Sequence, residues 1–205
     1  MSTLDIDSVY ERLWRNAEAR GVTINYDGLA DDGSGMFHPD PADRGEIRPT
    51  ITIGRPYCEH DDQPSCGRNP GGASLPPPDI LYETVTLAHE IGHFLSWKER
   101  TPRSDWEAYF DAARKRDVAQ DAVPESGSKE EFNSSLRVAA QSALAEHEIG
   151  LILAEEERAW TIGRELLADL GFDRWDYYAE RERRGIHHHR YRLGLDELWE
   201  EDRGK

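Results

Sequence analysis

Cysteine is scarce in this 205-residue chain: Cys58 and Cys66 are the two it has. So few thiols exclude a disulfide-stapled secreted scaffold. Positive charge is the minority sign, with 25 Lys and Arg against 41 Asp and Glu and a formal net charge of −16. A surface of that sign repels phosphate backbones and anionic lipid, so neither nucleic acid nor a membrane is an expected partner. Long apolar runs are missing too, and no segment approaches the roughly 20 residues that a membrane helix needs. Met1 to Arg20 lacks a basic stretch followed by an apolar run, so no secretory signal is read there and a cytoplasmic location is expected. The chain is 37% hydrophobic, which leaves enough for one compact domain with a real core.

What is present is periodic. Leu4 to Arg20 carries Ile6, Val9, Tyr10, Leu13 and Trp14 at helical spacing, and Gly21 stops it. Val22 to Tyr26 reads as a strand, Asp27 to Gly35 as a turn or loop, and Met36-Phe37 as the start of a second strand. Ile47 to Ile53 alternates, and Pro49 within it predicts an edge strand. Gly54 to Pro78 is loop-like. Helices are expected over Asp79 to Trp97 and Ser104 to Val118, followed by a surface loop over Ala119 to Ser128. A long helical pattern then runs from Lys129 to Leu170, with Gly150 as one possible break and Gly171 as its end. The tail from Phe172 to Lys205 is charged and helical in parts. The expected fold is α+β: an N-terminal helix, a short and mostly antiparallel sheet, the 79–97 helix and a long C-terminal helical region. Residues 1–171 are expected to form the domain, with 172–205 packed on or flanking it.

The informative stretch is Thr86-Leu87-Ala88-His89-Glu90-Ile91-Gly92-His93-Phe94-Leu95. Two His residues four apart on a helix lie on one face, one turn apart, and both imidazoles can reach one tetrahedral metal. Imidazole nitrogen suits zinc, and a catalytic zinc keeps one position for water. Glu90 follows the first ligand, so it points toward that water and can take its proton as general base. The frame is apolar at Leu87, Ala88, Ile91, Phe94 and Leu95, and a buried His-Glu-His cluster needs a reason.

A third ligand is required. No His or Asp follows His93 in a glycine-containing extension, which points to a Glu on a later helix. Glu155, Glu156 and Glu157 are the candidates. Glu156 has Ile152 and Leu153 before it and Ala159, Trp160 and Gly163 after it on its face, all apolar or small. Glu155 faces Arg158, and Glu157 faces Thr161 and Arg164. Glu156 fits best and Glu157 comes next, because a carboxylate in an apolar stripe is costly without a cation.

Two His on one helix and a Glu on a second resemble the gluzincins. The short upstream strands and the small size are similar to the minimal members, among them the ImmA/IrrE-like metallopeptidases, over about Val22 to Leu170. The specific resemblance is confined to His89-Glu90-Ile91-Gly92-His93 and Glu156 to Trp160. It implies a zincin-like domain binding one zinc ion through His89, His93 and Glu156, with Glu90 as the base in hydrolysis of a peptide or protein. Relatives often carry Asn or Asp four positions after the ligand Glu; this chain has Trp160, which cannot accept from an imidazole N–H. The alternative expectation is a zinc-bearing domain that binds or senses a partner with little proteolysis. A purely structural helical protein without metal is the third.

Other groups carry weaker signals. A Tyr or His beside zinc could stabilise charge on the attacked carbonyl oxygen, and Tyr177, Tyr178, His187, His188, His189 and Tyr191 lie downstream. The run His187-His188-His189 reads first as a polar surface feature. Cys58, His60 and Cys66 read as part of a surface loop, since a fourth ligand for a second metal is missing. The stretch Asp27 to Asp40 lacks the full calcium-loop pattern.

Overall fold

The computed structural model of the chain describes residues 5–27, 35–38, 49–54, 67–68, 74–75 and 80–196. Its elements are α1 (Ile6–Ala19), β1 (Thr23–Asp27), β2 (Gly35–His38), β3 (Thr50–Gly54), β4 (Gly67–Arg68), β5 (Ser74–Leu75), α2 (Ile80–Leu95), α3 (Arg103–Asp121), α4 (Lys129–Ala143), α5 (Glu146–Asp169) and α6 (Trp175–Arg192). The fold is α+β and mostly helical. Ile47, Cys58, His60 and Cys66 lie outside the described residues. None of the described helices is long and apolar enough to cross a membrane.

The chain forms two compact units, residues 1–96 with 159–178 and residues 97–158 with 179–205. The boundary expected at 171 falls inside the first of them.

In the first unit, α1 buries Val9, Leu13 and Ala17, one residue per turn on one face. Gly21 ends it at φ +85°, a left-handed value that lets the Val22 N–H reach back to the Ala17 carbonyl at 3.1 Å. The sheet order is β1-β3-β2, with β1 parallel and β2 antiparallel to β3, so it is mixed. The edge-strand expectation for Ile47 to Ile53 is corrected, because β3 is central. Pro49 stands one residue before the strand, where its missing N–H costs nothing and its carbonyl accepts from Thr23 N–H at 2.9 Å. Ile51 and Ile53 are fully buried beneath it. Within the expected loop, β4 and β5 pair antiparallel.

Helix α2 is the centre of this unit. Every residue from Glu83 to Leu95 is buried, as expected of a helix that is apolar almost all round. Tyr10 donates to Glu83 at 3.4 Å from α1, and the Phe37 and Phe94 rings meet edge-on at 5.9 Å. After Leu95 the backbone widens into one π-helical turn, Ser96–Arg100.

Two glycines set how close the second half of α5 comes to α2. A Cβ on Gly92 would collide with the carbonyl oxygen of Ala159, and a Cβ on Gly163 would lie 2.8 Å from the carbonyl oxygen of Ala88. Glycine inside a helix costs about 1 kcal/mol relative to alanine, so close approach is the physical reason for both.

In the second unit, Ala112, Leu144, Ile152 and Leu193 form a buried cluster, with Tyr109, Ile149 and Leu153 packed against it. Ser128 and Glu131 make a reciprocal capping box at the start of α4. The expected 129–170 helix is two helices, broken at Leu144–Ala145 and not at Gly150. Leu144 is extended (φ −107°, ψ 138°) and buried in the cluster, while Glu148 accepts from the Ala145 N–H at 2.8 Å. Apolar burial and the cap together outweigh the continuous helical pattern.

Gly92→Ala is expected to destabilise the fold by about 1–3 kcal/mol through overpacking. Gly150→Ala, where a Cβ meets nothing within 4 Å, should instead stabilise it by roughly 0.5–1 kcal/mol. Thermal or urea melts measure both, and a stabilising Gly92→Ala would overturn the close-packing explanation.

Candidate metal centre

His89 and His93 occupy successive turns of α2, with ring centroids 4.6 Å apart and planes inclined by 71°. Burial leaves His89 at 9% exposure, Glu90 at 4%, His93 at 7% and Glu156 at 5%. One ligand atom from each of His89, His93 and Glu156 lies within 4.8 Å of the others. A tetrahedral ion with bonds of about 2.0–2.2 Å spaces its ligand atoms by roughly 3.4 Å, inside that bound.

The donor chemistry fits a divalent cation. Two carboxylates, Glu90 and Glu156, are buried in a protein whose net charge is already −16. Moving an ionised carboxylate out of water costs several kcal/mol unless charge and hydrogen bonds compensate. A cation held by Glu156 and two neutral imidazoles compensates that cost. Nitrogen and oxygen donors together suit borderline ions such as zinc better than calcium or magnesium.

Helix α5 separates the three neighbouring glutamates as the spacing predicts, with one exception. Glu157 is exposed. Glu156 joins the two histidines. Glu155 is also buried, at 1% exposure, because Arg158 reaches back one turn to it at 2.8 Å and also donates to Thr101 Oγ1 at 3.1 Å. The helical wheel identified the partner and not the burial, which depends on what packs over the pair.

Trp160 stands one turn after Glu156 on α5. Its indole stacks on the His89 imidazole, with centroids 4.2 Å apart and planes inclined by 24°. Its Nε1 is buried and donates no hydrogen bond. The flat face of Trp160, rather than a polar acceptor, therefore lies against the His89 ring. Tyr178 holds the indole in turn: its hydroxyl donates to the Trp160 carbonyl oxygen at 2.5 Å and its ring meets the indole edge-on at 5.5 Å.

The tail candidates divide. Tyr178 is fully buried and its hydroxyl is committed to Trp160, so it has no free donor for a substrate. Tyr191 lies under the Arg137 guanidinium at 4.7 Å. His187 Nδ1 is 3.4 Å from Asp196 Oδ2, and His189 Nε2 is 3.4 Å from Glu156 Oε2. The His run is thus partly engaged with carboxylates, one of them Asp196 nine residues on in the same tail and the other Glu156 on α5. Arg190 donates to both oxygens of Asp196 and holds that carboxyl below the usual carboxylate range.

Comparison with family models, with curated proteins and with solved structures gave no match.

Trp160→Leu is expected to weaken divalent-metal binding about 10–100-fold by releasing the His89 ring, and Trp160→Phe to retain most of it. Competition with a chromophoric chelator measures both. Equal affinity in Trp160→Leu and the unaltered protein would remove the stack from the account.

Proposed function

We propose that the chain is a zinc-dependent metallopeptidase of the minimal gluzincin kind. The observation that supports this reading is the buried convergence of His89, His93 and Glu156, with Glu90 beside the first ligand on the same helix. His89, His93 and Glu156 would hold one zinc ion. When bound, zinc supplies Lewis acidity, which polarises a scissile carbonyl and makes water easier to deprotonate at neutral pH.

The residues of the chain supply the rest. Glu90 takes a proton from the attacking water as the new carbon–oxygen bond forms. It then delivers that proton to the amide nitrogen as the carbon–nitrogen bond breaks, which yields a carboxylic acid and an amine; the acid then loses its proton to solvent at neutral pH. Glu90 is buried at 4% exposure and follows the first ligand directly on α2. Trp160 fixes the His89 ring plane from the side.

Glu90→Gln is expected to keep the metal and lower peptide cleavage about 10²–10⁴-fold. His93→Ala and Glu156→Ala should lose metal and activity together. Chelation should abolish cleavage and added zinc should restore it. Elemental analysis of protein purified without added metal, with zinc titration and a peptide-library assay, tests these outcomes. Absence of zinc with no uptake on titration would refute the metal site, and wild-type cleavage by Glu90→Gln would refute the mechanism.

A further inference from the structure

The second half of α6 is held at several points within its own unit. Arg190 forks onto Asp196 at 2.7 and 3.0 Å, and His187 approaches the same carboxylate. Arg137 covers the Tyr191 ring and donates to the Asp196 carbonyl at 3.1 Å. Arg192 donates to Gln120 of α3 at 2.7 Å, and Gln120 donates onward to the Leu136 carbonyl of α4 at 3.3 Å. A helix tied on so many sides cannot rotate freely about its axis. The side that carries His189 is therefore fixed toward α5, where Nε2 stands 3.4 Å from Glu156 Oε2. His189 keeps 28% of its side-chain exposure and Glu156 only 6%. The contact thus joins a partly exposed imidazole to a nearly dry carboxylate oxygen, close in distance but without the alignment of a hydrogen bond.

A carboxylate has two oxygens, and an ion bound through one leaves the other able to accept a hydrogen bond. An acceptor bond to that second oxygen fixes the plane of the carboxylate and favours its ionised form. We propose that His189 is a positioning residue for Glu156: its Nε2–H is offered to one carboxylate oxygen, so that the other is presented toward His89 and His93. This inference rests on the metal-site reading above. The three ligand atoms within 4.8 Å come from His89, His93 and Glu156, and His189 meets that set through the carboxylate. Its role is to orient a ligand, and it is not itself a ligand. The pairing also gives α6 a part in the chemistry of a site whose donors lie on α2 and α5.

The test compares zinc affinity, by chelator competition on the full chain, for the unaltered protein and for His189→Ala, His189→Gln and His189→Asn. The amide N–H of Gln falls where Nε2 stood, whereas that of Asn falls nearer the Nδ1 position. Expected are about 10–100-fold weaker zinc binding in His189→Ala, a similar loss in His189→Asn and substantial recovery in His189→Gln. The visible absorption of the cobalt-substituted protein should keep its intensity and position in every variant that binds, because the donor atoms are unchanged. Affinity within twofold of wild type in His189→Ala would overturn the inference. So would a changed cobalt spectrum, which would make His189 a ligand. Equal affinity in the Gln and Asn variants would also overturn it, because the contact would then lack the specified geometry. His93→Ala serves as the separate control: if it too binds zinc like wild type, the metal-site reading has failed, whereas loss there alone leaves only the His189 inference refuted. Should His189→Ala not fold, the contrast between Gln and Asn carries the test.

Discussion

The closeness of α2 to the second half of α5 is the constraint on which the site depends. Side chains longer than a hydrogen atom at positions 92 and 163 would meet carbonyl groups of the opposite helix. With glycine at both, the backbones approach until Trp160 can lie flat on His89. Glu156, one turn earlier on α5, then lies within ligand distance of the two histidines. Separation by the width of even one methyl group would loosen the stack and widen the donor set. The helical propensity lost at two glycines is a small cost, about 1 kcal/mol each, against the charge chemistry it permits.

That chemistry is built on burial. Helix α2 is enclosed on every side, and its histidines and Glu90 are enclosed with it. Enclosure makes an uncompensated charge expensive and a cation correspondingly welcome, so the apolar surroundings favour metal binding as much as the donors do. They also decide what can hold the ligands in place. Stacking holds the imidazole by the flat face of an indole, and it leaves one buried N–H of that indole without an acceptor. The indole is backed by Tyr178, whose hydroxyl spends its proton on a helix carbonyl.

Much of this was legible in the sequence because it is local. The spacing of His89 and His93 is a property of one helix, and so is the apolar stripe that distinguishes Glu156 from Glu157. The end of α1 near Gly21 followed from that glycine, and its buried face from a one-face pattern. What was not legible depends on partners distant in the chain. Leu144 breaks a good helical pattern because a buried cluster takes it in extended form. Pro49 looked like an edge residue because the sequence does not show that the strand begins immediately after it. The stack of Trp160 on His89 and the approach of His189 to Glu156 arise between segments far apart in sequence, and no periodicity within either segment specifies them.

Gly92 carries one more consequence. The pattern His-Glu-x-x-His treats its two middle positions as interchangeable, since neither binds metal nor moves a proton. In this architecture they carry very different information. Position 91 asks for an apolar side chain of suitable size, whereas position 92 has its alphabet reduced to a single letter by a carbonyl oxygen on another helix. A pattern written His-Glu-x-Gly-His therefore encodes two things at once, two residues of a group that could hold a metal ion and a tertiary contact with another helix.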